Sequence, residues 1–155
     1  MNLNESISSL FINLQSLYRK NVKIENLTFP QTLIMYVLPE KGEQLSKLSF
    51  KIGVDISTMS RAIKGLEKKG LLRREYLKTD KRVISVIPQP KGKKIIAEIN
   101  NKFDQINNLI ENYVNENELY KIEQDLHELN WIILGMLVKQ FNLWILMKDI
   151  AFSII

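Results

Sequence analysis

Stepping 100° per residue along residues 55–69 gathers Ile56, Met59, Ile63 and Leu66 on one arc of a helix and leaves Ser57, Ser60, Arg61, Lys64 and Lys68 on the opposite arc. That outward set suits the reading of a nucleic acid duplex. Short hydroxyls can approach base edges, an arginine can bond bidentately to guanine, and flanking lysines can meet phosphates. A second group follows closely. Two β-compatible runs, Leu71 to Tyr76 and Arg82 to Ile87, flank Leu77-Lys78-Thr79-Asp80-Lys81, which reads as a hairpin with a basic tip. Asp80 and Arg82 lie two residues apart and so on one side of an extended chain. The carboxylate can orient a guanidinium that enters a narrow, electronegative minor groove, with Lys78 and Lys81 reaching phosphates beside it. Each group alone has a plainer reading, a solvated charged helix face and an exposed ion pair of little energetic weight. Helix and tip in succession favour the duplex.

The rest of the composition removes other chemistries. The 155 residues contain no cysteine and one histidine, His127. Disulfides, thiolate metal sites and cysteine nucleophiles are therefore absent together. His127 stands between Asp125 and Glu128 on a polar stretch, where a solvated imidazole is the simpler reading than a metal ligand. No glycine-rich phosphate loop and no paired histidine–carboxylate spacing is present, so neither an enzyme nor a bound cofactor or metal is expected. The net charge is +5, but it is unevenly spread. Residues 1–50 carry five basic and four acidic side chains, residues 51–94 thirteen and four, and residues 95–155 four and nine. A basic module between a neutral and an acidic arm is the footprint of a polyanion partner. The first ten residues hold Glu5 and no basic run ahead of an apolar stretch, so a signal peptide is not expected and a cytoplasmic location is.

Helical elements must surround this module. Ile7, Leu10, Phe11, Leu14, Leu17 and Tyr18 form one amphipathic stripe ending before Asn21. Thr28-Phe29-Pro30-Gln31 opens a second helix that Pro39 and Gly42 close. A short helix from about Glu43 ends at Gly53, and Asp55 caps the helix that Gly70 terminates after Lys69. Pro88 and Pro90 end the second strand. A long helix then runs from about Lys91 through Ile95, Ile99, Phe103 and Tyr113, and a break at Asn115 to Asn117 precedes another from Leu119 to Leu137. Eleven of the last fifteen residues, Phe141 to Ile155, are apolar. Lys139, Gln140, Asn142, Lys148 and Asp149 interrupt the apolar content from Trp131 to Ile155, while a membrane span needs about 20 mostly apolar residues. Burial against a partner subunit accounts for it better.

The segment from Leu45 to Arg82 resembles the MarR family of winged-helix regulators. The resemblance rests on Ser60-Arg61, on Leu66-Glu67-Lys68-Lys69-Gly70-Leu71 and on Asp80-Lys81-Arg82, which stand in the family's order and spacing, and it extends more loosely from Leu10 to Lys139. It implies a mainly α fold with a small β-wing. Residues 1–28 would be an N-terminal dimerisation helix, 29–90 a winged helix-turn-helix and 91–155 C-terminal dimerisation helices. It also implies a homodimeric, cytoplasmic transcription regulator, a repressor as many members of the family are, that binds a palindromic double-stranded operator. On residue matching, Ser57, Thr58, Ser60, Arg61 and Lys64 fall on the recognition helix and Asp80 and Arg82 on the wing. Ile87-Pro88-Gln89-Pro90 replaces the leucine–threonine pair usual after the second wing strand, and the apolar tail runs past the usual end. Many members are released by small aromatic or lipophilic effectors. Phe11, Tyr18, Phe29 and Tyr36 could line such a pocket here or serve simply as core. The alternative is a winged-helix interaction protein whose apolar tail binds a protein partner or an anionic membrane surface.

Overall fold

Capping side chains set where the helices begin. In the computed structural model, which describes residues 2–76 and 83–140, Asn2 opens α1 (Leu3–Asn21). Its side chain accepts from the Glu5 amide while the Glu5 carboxylate accepts from the Asn2 amide, both at 3.0 Å. The pair satisfies two amides that the helix itself leaves without partners. Thr28 and Gln31 repeat the device at α2 (Phe29–Val37), with Pro30 in the first turn, where a missing N–H costs nothing. Gly42 follows with a φ of +86°, and a side chain there would press on the Val86 carbonyl and on Ile87. The glycine lets the chain swing into β1 (Glu43–Gln44) against the sheet.

The expected helix start at Glu43 is corrected by that strand. β1 pairs antiparallel with a later strand, and the helix α3 (Leu45–Ile52) begins only after it. A two-residue strand has no periodicity to read, so only its partner reveals it. Gly53 ends α3 in the left-handed region at φ +75°, and Asp55 opens α4 (Ile56–Lys68). Gly70, also left-handed at φ +69°, turns the chain into β2 (Leu72–Tyr76), which pairs with β3 (Ile84–Pro88). The register sets Leu72 opposite Pro88 and Tyr76 opposite Ile84, and the sheet order is β1-β3-β2, all antiparallel. Residues 77–82, hence Lys78, Asp80, Lys81 and Arg82, and the apolar tail from Phe141 lie outside the described residues.

α5 (Pro90–Glu111) starts against Leu71, the residue that precedes β2. The Gln89 amide donates to the Leu71 carbonyl at 2.9 Å, and a Cβ at Gly92 would collide with that carbonyl. The chain divides into two units at residue 108. In the first, one core joins Ile34 and Met35 of α2, Leu45 and Leu48 of α3, Met59, Ile63 and Leu66 of α4, Leu72 and Val86 of the sheet, and Ile96, Ile99, Phe103 and Ile106 of α5. Ile56, expected on the inward arc, is 56% exposed. It is the first residue of α4, so no preceding turn brackets it. The second unit contains α6 (Glu116–Gln140), capped by Asn115 and Glu118 in reciprocal bonds of 3.0 and 3.1 Å. Its Leu126, Trp131, Ile133 and Met136 are exposed, as are Ile7, Leu10, Phe11 and Leu14 of α1, which buries no residue. No helix among the described residues is long and apolar enough to cross a membrane.

Gly92→Ala is expected to lower stability by about 1–3 kcal/mol, the usual range for forcing extra volume into a packed contact, read as an earlier midpoint in urea. An unchanged midpoint would mean that the start of α5 does not rest on the Leu71 carbonyl.

Candidate nucleic-acid interface

The seam of α4 fixes what its other face presents. Met59, Ile63 and Leu66 have no solvent exposure, and burying each contributes about 1.5–3 kcal/mol. Half a turn away, Ser57, Thr58, Arg61, Lys64 and Lys68 are exposed and Ser60 is half-buried. All six helix residues anticipated from the sequence therefore lie on α4, and none is lost to the core.

Their hydrogen bonds are not uniform. Asp55 Oδ1 accepts both the Thr58 amide at 2.8 Å and the Ser57 hydroxyl at 2.5 Å, while Oδ2 accepts the Thr58 hydroxyl at 2.7 Å. The Ser57 hydroxyl donating to it, followed by the Thr58 hydroxyl and amide, holds the Asp55 carboxyl well below the usual carboxylate range. Arg61 Nη2 in turn donates to Ser57 Oγ at 3.3 Å. The first turn of α4 thus carries a relay from guanidinium to hydroxyl to carboxylate. Lys64 and Lys68 make no such bond among the described residues, leaving two free ammonium groups further along the same face.

Other basic residues of the module serve the fold. Lys69 Nζ donates to the Asn26 carbonyl at 2.6 Å and to Gln31 Oε1 at 2.7 Å, tying the end of α4 to the start of α2. Asn26 adopts a φ of +62°, a conformation that asparagine tolerates better than most residues. Lys91 donates to the Lys69 carbonyl at 3.3 Å. Arg74 donates from Nε at 3.0 Å and Nη2 at 2.8 Å to Glu67 Oε2, and its amide donates to Oε1 at 3.1 Å. This clamp joins α4 to β2. Sequence reasoning assigned it no role, since Glu67 and Arg74 stand seven residues apart on different elements. Arg73 pairs with Glu75 at 2.5 Å on the exposed side of the same strand.

The four aromatics considered for an effector pocket separate into three places. Tyr18 and Tyr36 both stack on a shared partner, Phe103 of α5, with ring centroids 4.7 and 4.0 Å away. Burial, then the nearby Tyr36, pushes the Tyr18 hydroxyl above its ordinary range. Phe29 instead carries the Arg19 guanidinium 5.0 Å above its ring. Phe11 is 63% exposed. Phe103, which completes the stack, was legible only as one apolar position of the long helix. No cluster of three or more His, Cys, Asp or Glu side chains able to hold a metal occurs among the described residues.

A helix-turn-helix followed by a β-hairpin, with a third strand pairing from in front of α3, defines a winged helix-turn-helix protein. The match to known proteins narrows the class, for a MarR family profile fits residues 27–84, the winged-helix segment of this chain. The chain is 30% identical over 88 residues to the HTH-type transcriptional regulator MgrA of Staphylococcus aureus, across 56% of this chain and 60% of MgrA. It thus spans less than two thirds of that relative. Among solved structures it superposes on the MarR protein from Peptoclostridium difficile with a TM-score of 0.76 at 21% identity, covering 90% of this chain and 92% of that one. Streptococcus pneumoniae FabT, solved in complex with DNA, gives a TM-score of 0.75 at 20% identity over 86% of this chain and 96% of FabT. At such identities the likeness shows a common fold.

A double-mutant cycle on Glu67→Ala and Arg74→Ala is expected to return a coupling of about 0.5–1 kcal/mol in urea unfolding, the upper part of the range for partly exposed pairs. Additive losses would mean that the two side chains are neighbours without a clamp.

Proposed function

We propose that this chain is a homodimeric transcriptional regulator, a repressor acting in the cytoplasm, that binds a palindromic double-stranded operator sequence-specifically and catalyses no reaction. One observation carries the reading: α4 of a MarR-family winged helix turns Ser57, Thr58, Ser60, Arg61, Lys64 and Lys68 outward opposite a fully buried seam. Arg61 supplies guanine readout, and Lys64 and Lys68 supply phosphate contacts. Lys78, Asp80, Lys81 and Arg82 extend the contact through the wing. The likeness to FabT, whose structure was solved with DNA, supports the partner class.

The dimer follows from exposed grease. Ile7, Leu10, Phe11 and Leu14 on α1, and Trp131, Ile133 and Met136 on α6, form apolar faces that a soluble monomer rarely leaves uncovered. A second copy of the chain covers them. A small aromatic or lipophilic effector would find Tyr18 and Tyr36 half-open beside Phe103 and, bound there, would bias α1 and α2 against α5.

Fluorescence anisotropy with duplexes tiling the DNA upstream of the gene, against a shuffled control at two salt concentrations, tests the reading. Arg61→Ala should cost about 1–3 kcal/mol of discrimination between the preferred and shuffled duplexes. Lys64→Ala should weaken both alike and lower the salt slope by about 1. Arg82→Ala should weaken operator binding with the fold intact. Binding that is equal on every duplex and vanishes as salt rises would overturn the proposal. For the dimer, Phe11→Glu should give a monomer in sedimentation, and an unchanged dimer would remove α1 from the interface.

A further inference from the structure

We infer that Asp55 is a specificity-determining positioning residue, which takes the hydroxyl hydrogens of Ser57 and Thr58 and so leaves these side chains facing a bound duplex as acceptors only. The inference rests on the DNA-binding function proposed above and says how the first turn of α4 would read bases.

A hydroxyl has one hydrogen to donate and two lone pairs. Both hydrogens are already placed: Ser57 Oγ donates to Oδ1 at 2.5 Å and Thr58 Oγ1 to Oδ2 at 2.7 Å. Asp55 cannot be the donor in either bond, because three hydrogen bonds favour its ionised form and a carboxylate only accepts. Arg61 confirms the polarity from the other side, since Nη2 donates to Ser57 Oγ at 3.3 Å and uses one of its lone pairs. What remains on this turn is one lone pair on Ser57, two on Thr58, and the uncommitted N–H groups of Arg61.

In the major groove the donors are the amino groups of adenine and cytosine, whereas guanine O6, thymine O4 and the purine N7 atoms accept. Acceptor-only hydroxyls therefore fit adenine or cytosine and set lone pair against lone pair at guanine or thymine. They also gain nothing from phosphate oxygens, so Ser57 and Thr58 are base readers here and not backbone anchors. Arg61 has the reverse polarity and fits guanine. An ordinary cap does not require this arrangement. A serine or threonine at position 55 could accept the Thr58 amide, but only a carboxylate has the lone pairs to accept that amide and both hydroxyls together.

Asp55→Asn isolates the effect. Asparagine is as good a cap as aspartate and keeps an oxygen for the Thr58 amide, but it places an NH2 donor where Oδ2 stood. Thr58 must then accept from it and turn its hydrogen outward. The test is selection from a randomised duplex library, with sequencing of the bound pool, using the full chain. The wild type should enrich adenine or cytosine about ten-fold over guanine and thymine at one position of each half-site, the size of a good base contact. Asp55→Asn should cut that bias to about two-fold or less while the rest of the motif survives. Ser57→Ala/Thr58→Val, which leaves the cap untouched, should lose the same bias, and adding Asp55→Asn to it should change nothing further.

An Asp55→Asn motif identical to the wild type, or enrichment weakened evenly at every position, would overturn the inference. So would retention of the bias in Ser57→Ala/Thr58→Val. A wild-type pool with no motif at all would instead take down the DNA-reading function and this inference with it, so the two failures are distinct.

Discussion

Three side chains withdrawn from solvent, Met59, Ile63 and Leu66, fix the roll of α4, and that roll decides which groups can meet anything outside the protein. A helix turns 100° per residue, so a register slip of one position toward the C-terminus would bury Ser60, Lys64 and Glu67 and expose the seam. The core prevents it. Met35, Leu48, Ile99 and Val86, all nearly or fully buried, come from four different elements and join the same cluster. Such a close-packed arrangement tolerates one rotation of α4 and penalises its neighbours by several side-chain burials. The outward face is therefore a consequence of packing, with no need for its own polar residues to specify it.

Position along the helix is secured differently, by charge. The Lys69 ammonium holds the end of α4 to the Asn26 carbonyl and to Gln31 in the cap of α2, while Glu67 grips both the guanidinium and the amide of Arg74. Lys69, Lys91, Arg73 and Arg74 are thus spent within the protein, although a count of charges places all four in the basic module. A net charge describes long-range attraction to a polyanion, and it does not identify the contacting side chains. Those follow from which cations have no partner and share a face.

Patterns within one element were readable from the sequence, and contacts between elements were not. The caps at Thr28 and Asp55, the left-handed stops at Gly53 and Gly70, the hairpin strands and the outward set on α4 each depend on neighbours a few residues away, where residue type and spacing carry the physics. β1 escaped because two residues show no alternation, and Glu43 and Gln44 become a strand only opposite Val86 and Ser85. Ile56 has the right phase for the core but sits one turn too early to be covered. Phe103 as the ring on which both Tyr18 and Tyr36 stack, and Glu67 as the anchor of β2, depend on which elements meet, which periodicity does not encode. The same holds for Gly92, whose lack of a side chain matters only because Leu71 lies against it.

An acidic residue on a face proposed to meet a polyanion needs a physical reason. Asp55 stands beside the unpaired amides at the start of α4, where the helix dipole is positive, and it receives three hydrogen bonds there. Its charge is therefore largely answered within the first turn, with Arg61 one turn further on. The uncompensated positive charge lies beyond, at Lys64 and Lys68. Along one helix the charge is thus answered at the cap and left unanswered toward the end, which would separate two tasks. In the proposed function phosphates would be drawn to the second half, and the first turn would approach the bases without an attraction strong enough to fasten it to the backbone. That gradient agrees with the usual docking of a recognition helix, which contacts base edges through its N-terminal residues. It follows from a carboxylate at position 55 and two lysines at 64 and 68, all held in phase by the same buried seam.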